Sequence, residues 1–222
     1  DLKAVINKGL DCTGSPDATI TLTTTGGNVL PTPNYTYTVS YNSGVAVAAT
    51  SPYAATAAGG YVFTVTDANN STTCTTSATV TIDAIPAPTI TPSVTDVSCF
   101  NGTDGAISVA VSGGVGPFTY ALTSTPAITN TTGDATGVYT GLAAGTNYVV
   151  TVTDAKSCTY PTTITVGQPT AALAGSPTVT TPLSCGAGNV AQAATVTLNG
   201  TTGTGTGAFE YSFDGSAYDT NN

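Results

Sequence analysis

An internal repeat restricts this chain more than any other feature. Cys12, Cys99 and Cys185 follow one another at intervals of 87 and 86 residues, and each opens the same series of landmarks. A segment alternating apolar and small polar residues comes next: Ala18–Leu22, Ala106–Val111 and Ala194–Leu198. That period of two is the mark of a half-buried strand. A Gly-rich turn follows, then an aromatic pair two residues apart, Tyr35 and Tyr37, Phe118 and Tyr120, Phe209 and Tyr211. Residues so spaced on a strand point to one face. Self-similarity at a fixed period means one structural unit copied in tandem.

The later half of the unit recurs as well. Gly59–Asp67 matches Gly145–Asp154, with Tyr61 and Tyr148 again 87 residues apart, and both read as a strand with an apolar buried face. A second cysteine follows, Cys74 or Cys158, and then a closing strand over 78–82 or 162–166. The repeat predicts that Cys12 pairs with Cys74 and Cys99 with Cys158. Cys185 is then unpaired because its partner lies past Asn222, and the chain reads as a cut from a longer array. Boundaries fall where the period restarts, at Ile85-Pro-Ala-Pro88 and Gly167-Gln-Pro169. This divides the chain into repeat 1 (1–87), repeat 2 (88–170) and the opening part of repeat 3 (171–222). Proline fixes φ, so short Pro-containing joints predict a semi-rigid, rod-like arrangement.

Each unit offers six or seven short strands separated by Gly, Pro, Asn and Asp clusters, with no useful helical periodicity. The expected fold class is all-β: tandem immunoglobulin-like Greek-key β-sandwich repeats with one disulfide per repeat. Leu142-Ala-Ala-Gly145-Thr-Asn-Tyr148 reads as a tyrosine corner, and Tyr61 after Gly59-Gly60 is its counterpart. A disulfide closing a loop of about 60 residues contributes roughly 4 kcal/mol on the chain-entropy model.

Composition bears on function mainly by exclusion. Charged residues make up 7% of the chain, the net charge is −9, and the only cations are Lys3, Lys8 and Lys156. No basic patch exists to neutralise phosphates, so nucleic acid is excluded as a partner. No apolar run approaches the roughly 18 residues needed to cross a bilayer, so no membrane insertion of this fragment is expected. The cysteines lack C-x-x-C spacing and there is no His to complete a zinc site, which favours disulfides in an oxidising compartment. Without imidazole, Ser-His-Asp and Cys-His catalysis are closed, and Glu210 is the only Glu, so an enzyme is not expected.

The order Cys99, then Asn-Gly-Thr-Asp-Gly-Ala-Ile-Ser-Val109, Gly113-Gly-Val-Gly-Pro-Phe-Thr-Tyr120, Gly141-Leu-Ala-Ala-Gly145, Val150-Thr-Val-Thr-Asp154 and Cys158 resembles the SprB-type repeat. Repeat 2 fits best, repeat 1 is looser after Gly27, and repeat 3 is visible in its opening half. The third departs by about three extra residues after Cys185 and lacks the Asp found at 17 and 104. The resemblance implies a very long extracellular, cell-surface protein of Bacteroidetes, including gliding-motility adhesins carried by the type IX secretion system.

Candidate sites are few. Asp17 and Asp104 lie five residues after the first cysteine of their repeats, and Asp67 and Asp154 lie seven and four residues before the second. Brought together by the expected disulfides, each pair is a calcium candidate; the alternative is that each Asp caps a turn by accepting backbone N–H bonds. No other cofactor is expected. Lys156 is a loop residue without a counterpart in repeat 1, which argues against a Lys–Asn isopeptide bond. The sequons at Asn34 and Asn101 are expected by chance in so Thr-rich a chain. Tyr41, Tyr53 and Tyr139 read as sandwich rim or core rather than sugar platforms. The expected role is a structural stalk segment of a surface adhesin or fibre, with further repeats of the same chain, and surface polysaccharide or other fibre chains, as partners. Two alternatives are carbohydrate-binding modules of a secreted polysaccharide-active protein and subunits of a self-assembling filament.

Overall fold

The computed structural model describes residues 1–27, 34–67, 74–188 and 190–202, and these form strands and turns with no helix. Repeat 1 contributes β1 (Leu2–Lys8), β2 (Ala18–Thr24), β3 (Tyr35–Tyr41), β4 (Val47–Ala49), β5 (Tyr53–Ala55), β6 (Gly59–Asp67) and β7 (Cys74–Ile82). They form two antiparallel sheets, ordered β1-β2-β5 and β4-β3-β6-β7. The chain changes sheet between β2 and β3, between β4 and β5, and between β5 and β6, a Greek-key path. β6 shows why these residues choose strand: Tyr61, Phe63, Val65 and Asp67 are buried while the residues between them are half-exposed. Bulky aromatic and β-branched side chains fill one face of the pleat, and Thr64 and Thr66 keep the other wet. A single core joins both sheets, with Leu2, Ile20 and Leu22 on one and Val39, Phe63 and Ile82 on the other. Tyr53 meets Phe63 edge-on at 5.3 Å between ring centroids.

The β3–β4 hairpin turns on Asn42 and Ser43, with φ of 46° and 63°. Two consecutive left-handed residues make the primed turn whose twist matches the flanking strands. Gly44 N–H donates to the Tyr41 carbonyl at 2.8 Å to close it.

Repeat 2 contributes β8 (Pro88–Thr95), β9 (Gly105–Gly113), β10 (Thr119–Thr125), β11 (Val138–Leu142), β12 (Asn147–Thr153) and β13 (Thr159–Thr165). Its sheets run β8-β9-β11 and β10-β12-β13, the order of repeat 1 with the strand corresponding to β4 left out. Ile107, Tyr139, Leu142, Tyr148 and Val150 are fully buried. Among the described residues, the expected six or seven strands per unit are seven and six. Farther on, β14 (Ala174–Thr181) pairs antiparallel with β17 (Thr195–Thr202), and β15 (Ser184–Cys185) with β16 (Ala191–Gln192). The third aromatic pair, Phe209 and Tyr211, and Glu210 lie outside the described residues.

Compactness divides the chain into two units that do not follow chain order. One comprises Asp1–Thr89, Val111–Thr119 and Val152–Tyr160; the other comprises Ile90–Ala110, Tyr120–Thr151 and the chain from Pro161 onward.

The cysteine pairing corrects the expectation from the repeat. Cys12 is bonded to Cys158, 146 residues away, whereas Cys74, Cys99 and Cys185 are exposed free thiols. Neither Cys12–Cys74 nor Cys99–Cys158 forms. Periodicity assigns cysteines to two positional types but does not distinguish a partner in the same repeat from one a full period later. The local backbone decides: the Cys12 N–H donates to the Lys156 carbonyl at 2.8 Å, which sets Cys12 beside the β12–β13 turn that carries Cys158.

Candidate functional site

The covalent junction at Cys12 and Cys158 is built from two preorganised loops within the first compact unit. On one side, the bend leading into β2 is closed by the Asp11 N–H donating to the Pro16 carbonyl at 3.2 Å. Asp11 Oδ1 accepts from the Thr13 hydroxyl at 2.7 Å and the Thr13 N–H at 3.2 Å. Lys8 pairs with Asp11 Oδ2 at 3.0 Å and also donates to the Ser15 carbonyl. The Thr13 hydroxyl, and then Lys8, hold the Asp11 carboxyl below its ordinary range. The bend thus holds its cysteine outward.

On the other side stands the β12–β13 turn. Asp154 Oδ1 accepts the N–H groups of Lys156 at 2.8 Å and Cys158 at 2.9 Å. The Asp154 N–H donates to the Cys158 carbonyl, and Ser157 N–H to the Asp154 carbonyl, both at 3.0 Å. Ser157 takes a left-handed φ of 64°, which the tight turn demands. One carboxylate therefore caps the turn that presents Cys158, itself 6% exposed. Asp154 Oδ2 is buried without a hydrogen-bond partner. The neighbouring Tyr160 hydroxyl is raised above its ordinary range, first by burial and then by the Asp154 charge. A pocket of about 280 Å³ is lined by Ile6, Leu10, Ile82, Ile85 and Lys156. Chemically, this arrangement holds a disulfide with a main-chain hydrogen bond beside it.

The four Asp candidates are placed as follows. Asp17 immediately precedes β2. Asp67 is buried at the end of β6, opposite Tyr35 and Cys74 in register. It borders a pocket of about 180 Å³ together with Asp1, Tyr35 and Cys74. Asp104 accepts the Ser98 hydroxyl at 2.5 Å and the Ser98 N–H at 3.1 Å, and these bonds hold its carboxyl below the ordinary range. Asp104 and Asp154 are thus turn caps. The disulfides expected to bring the Asp pairs together do not form, and among the described residues no three His, Cys, Asp or Glu side chains group as metal ligands.

The tyrosines are tied to backbone and core. Tyr61 donates its hydroxyl to the Ala57 carbonyl at 2.8 Å and Tyr148 to the Ala143 carbonyl at 2.9 Å. Both bonds reach back across the link between the two sheets. Tyr139 is fully buried and donates to Asp134 Oδ1 at 3.0 Å; burial, and then that bond, push its hydroxyl far up. Tyr41 is 41% exposed, stacks at a tilt on Tyr61 and donates to the Ala58 carbonyl at 2.8 Å. Lys156 lies in the turn, where its carbonyl receives Cys12.

Reading the sequence missed the Lys8–Asp11–Thr13 bend, Asp134, and Asp96, whose Oδ1 accepts the Gly167 N–H at 2.7 Å. The first had a usable signal. Asp11-x-Thr13 is the pattern of a side-chain turn, and Asn130-x-Thr132 forms the same bond, with Asn130 Oδ1 accepting the Thr132 N–H at 3.1 Å.

A family model described as the SprB repeat matches the chain twice, at residues 9–44 and 91–126. Each match covers the opening half of a repeat, including its first cysteine; the second cysteine of each lies outside. No curated protein matches the chain. Among solved structures, the fibronectin(III)-like modules of Clostridium thermocellum CbhA align at 16% identity with a TM-score of 0.32, covering 75% of this chain and 95% of that one.

Proposed function

We propose that this chain, which the SprB-repeat model matches at residues 9–44 and 91–126, serves as a stalk segment of a long extracellular surface fibre or adhesin, extending and bearing load while other parts of the assembly engage a target. The observation that carries this reading is the Cys12–Cys158 bridge, which ties the opening of repeat 1 to a turn of repeat 2. A covalent tie from one repeat to the next suits a shaft, because it resists peeling of repeat from repeat. It also suits a site outside the cytoplasm, where disulfides persist. Capped turns and core-bound tyrosines support a load-bearing role over a catalytic one. The gliding-motility setting, the type IX route and a rod-like succession of units bounded at 87 and 170 belong to the same proposal and rest on the resemblance and the period.

Immunogold electron microscopy on intact producing cells, with antibody raised against this chain, tests it. Label strung along fibres beyond the outer surface, lost after brief surface proteolysis, is the expected result. Label confined inside the cell defeats the reading. A glycan array with the purified chain addresses the carbohydrate-binding alternative, and micromolar or tighter binding of a defined glycan favours that alternative.

A further inference from the structure

The three free thiols and the one bridge obey a single rule. Cysteines of the first type, Cys12 and Cys99, stand six residues before the strands that open at Ala18 and Gly105. Cys185 recurs at the same period. Cysteines of the second type stand opposite the aspartate that ends or directly follows the preceding strand. Asp67 faces Cys74 across β6 and β7, and the Asp154 N–H meets the Cys158 carbonyl across the next such hairpin. The two hairpins differ in length, yet each places its cysteine at the same register point. The bridge that forms takes one cysteine of each type, the first from repeat 1 and the second from repeat 2.

The geometry points to Cys74 and Cys99 as covalent docking points for further repeats of this kind: Cys74 takes a first-type cysteine, and Cys99 a second-type one, so that repeats are cross-linked head to tail in one direction. All three free thiols are exposed, as such a role requires. The rule places Cys12, Cys74, Cys99 and Cys158 by their strands and Cys185 by its period, whereas pairing inside each repeat is contradicted by the bridge itself. The inference rests on bridge connectivity and not on the stalk reading; an array linked in this way can exist whatever its biological use.

Bond formation needs a two-electron acceptor, here a small-molecule or protein disulfide. One thiolate attacks a sulfur of that disulfide, forming a mixed disulfide and expelling a thiolate. The complementary cysteine then attacks the mixed disulfide at the sulfur of the first, closing the bridge and releasing the acceptor fully reduced, as two thiols.

A second copy of the full chain is the probe. Purified protein is equilibrated at high concentration in glutathione redox buffer, quenched with a maleimide and digested without reduction, and the linked peptides are identified by mass spectrometry. Expected are Cys12–Cys158 within a copy, and Cys74–Cys99 or Cys74–Cys185 between copies, exceeding like-type pairs by on the order of tenfold because docking raises the effective concentration of the correct pair. The Cys74→Ser variant retains the internal bridge and loses the between-copy links. The inference is overturned by Cys12–Cys74 or Cys99–Cys158 peptides, by like-type pairs as frequent as mixed ones, by a chain that stays unlinked, or by links that survive Cys74→Ser.

Discussion

Tyr148 and Asp104 show how single polar atoms fix this fold. Tyr148 is fully buried, and its hydroxyl is spent on the Ala143 carbonyl. Replacing it with Phe keeps the ring and leaves that carbonyl without its donor. Tyr148→Phe is therefore expected to cost about 1–3 kcal/mol, read as a lowered urea midpoint at unchanged slope. Tyr61→Phe tests the same bond to Ala57 in repeat 1. An effect of both substitutions below about 0.3 kcal/mol defeats the argument, since a neutral hydrogen bond is worth about 1 kcal/mol. Asp104 makes a pH prediction. Its bonds from Ser98 favour the charged form, so its carboxyl titrates below the ordinary aspartate range in the folded chain. A group whose pKa is depressed on folding contributes stability that is present above the unfolded pKa and lost as pH falls through the folded one. Thermal melts of wild type and Asp104→Asn should therefore differ at neutral pH and converge as pH drops below about 4. A gap unchanged down to pH 2 contradicts this account.

Among the elements, β6 and β12 were the most legible in the sequence, and the reason is packing. Strict alternation of Tyr61, Phe63 and Val65 with half-exposed residues leaves only one face for the core, and a one-residue slip would turn all three outward. Phe63 is fully buried, while on the opposite face the Thr64 hydroxyl meets that of Ser77 at 2.9 Å in the open. Phe63→Ala is expected to cost about 3–5 kcal/mol and Thr64→Ala less than about 1 kcal/mol, a contrast that chemical denaturation of the two variants measures. Comparable losses would mean that β6 does not bury the face assigned to it. Less legible were β4, β5 and β11, three to five residues long, whose length gives period two no room to declare itself. Least legible was the pairing of the cysteines. The strand after Cys12 and the strands flanking Cys158 were legible, but partner choice depends on the three-dimensional meeting of the Cys12 N–H with the Lys156 carbonyl, and no local pattern encodes that. Two of the four calcium candidates instead serve their own turns: Asp104 and Asp154 Oδ1 accept backbone N–H groups within six residues, bonds that a short turn supplies without any distant partner.

For the whole molecule, the bridge changes which part of the chain feels tension. A cross-link over 146 residues withholds about 5 kcal/mol of chain entropy from the unfolded state, comparable with the total stability of a small domain. Its mechanical effect is independent of that estimate. When the chain is pulled from its two ends, force enters at Cys12 and leaves at Cys158 through sulfur, so the intervening residues are shielded even after their strands unfold. Each residue extends by at most about 3.3–3.6 Å, so the shielded length is on the order of 500 Å. Single-molecule stretching of the full chain should therefore give a total contour length shorter by that amount when oxidised than in dithiothreitol. Cys158→Ser should behave as the reduced chain under both conditions, and Cys74→Ser as the wild type. A bridge between Cys12 and Cys74 would shield fewer than half as many residues, and the measured difference would shrink in proportion. The length released on reduction thus reports directly which pair of cysteines carries the load.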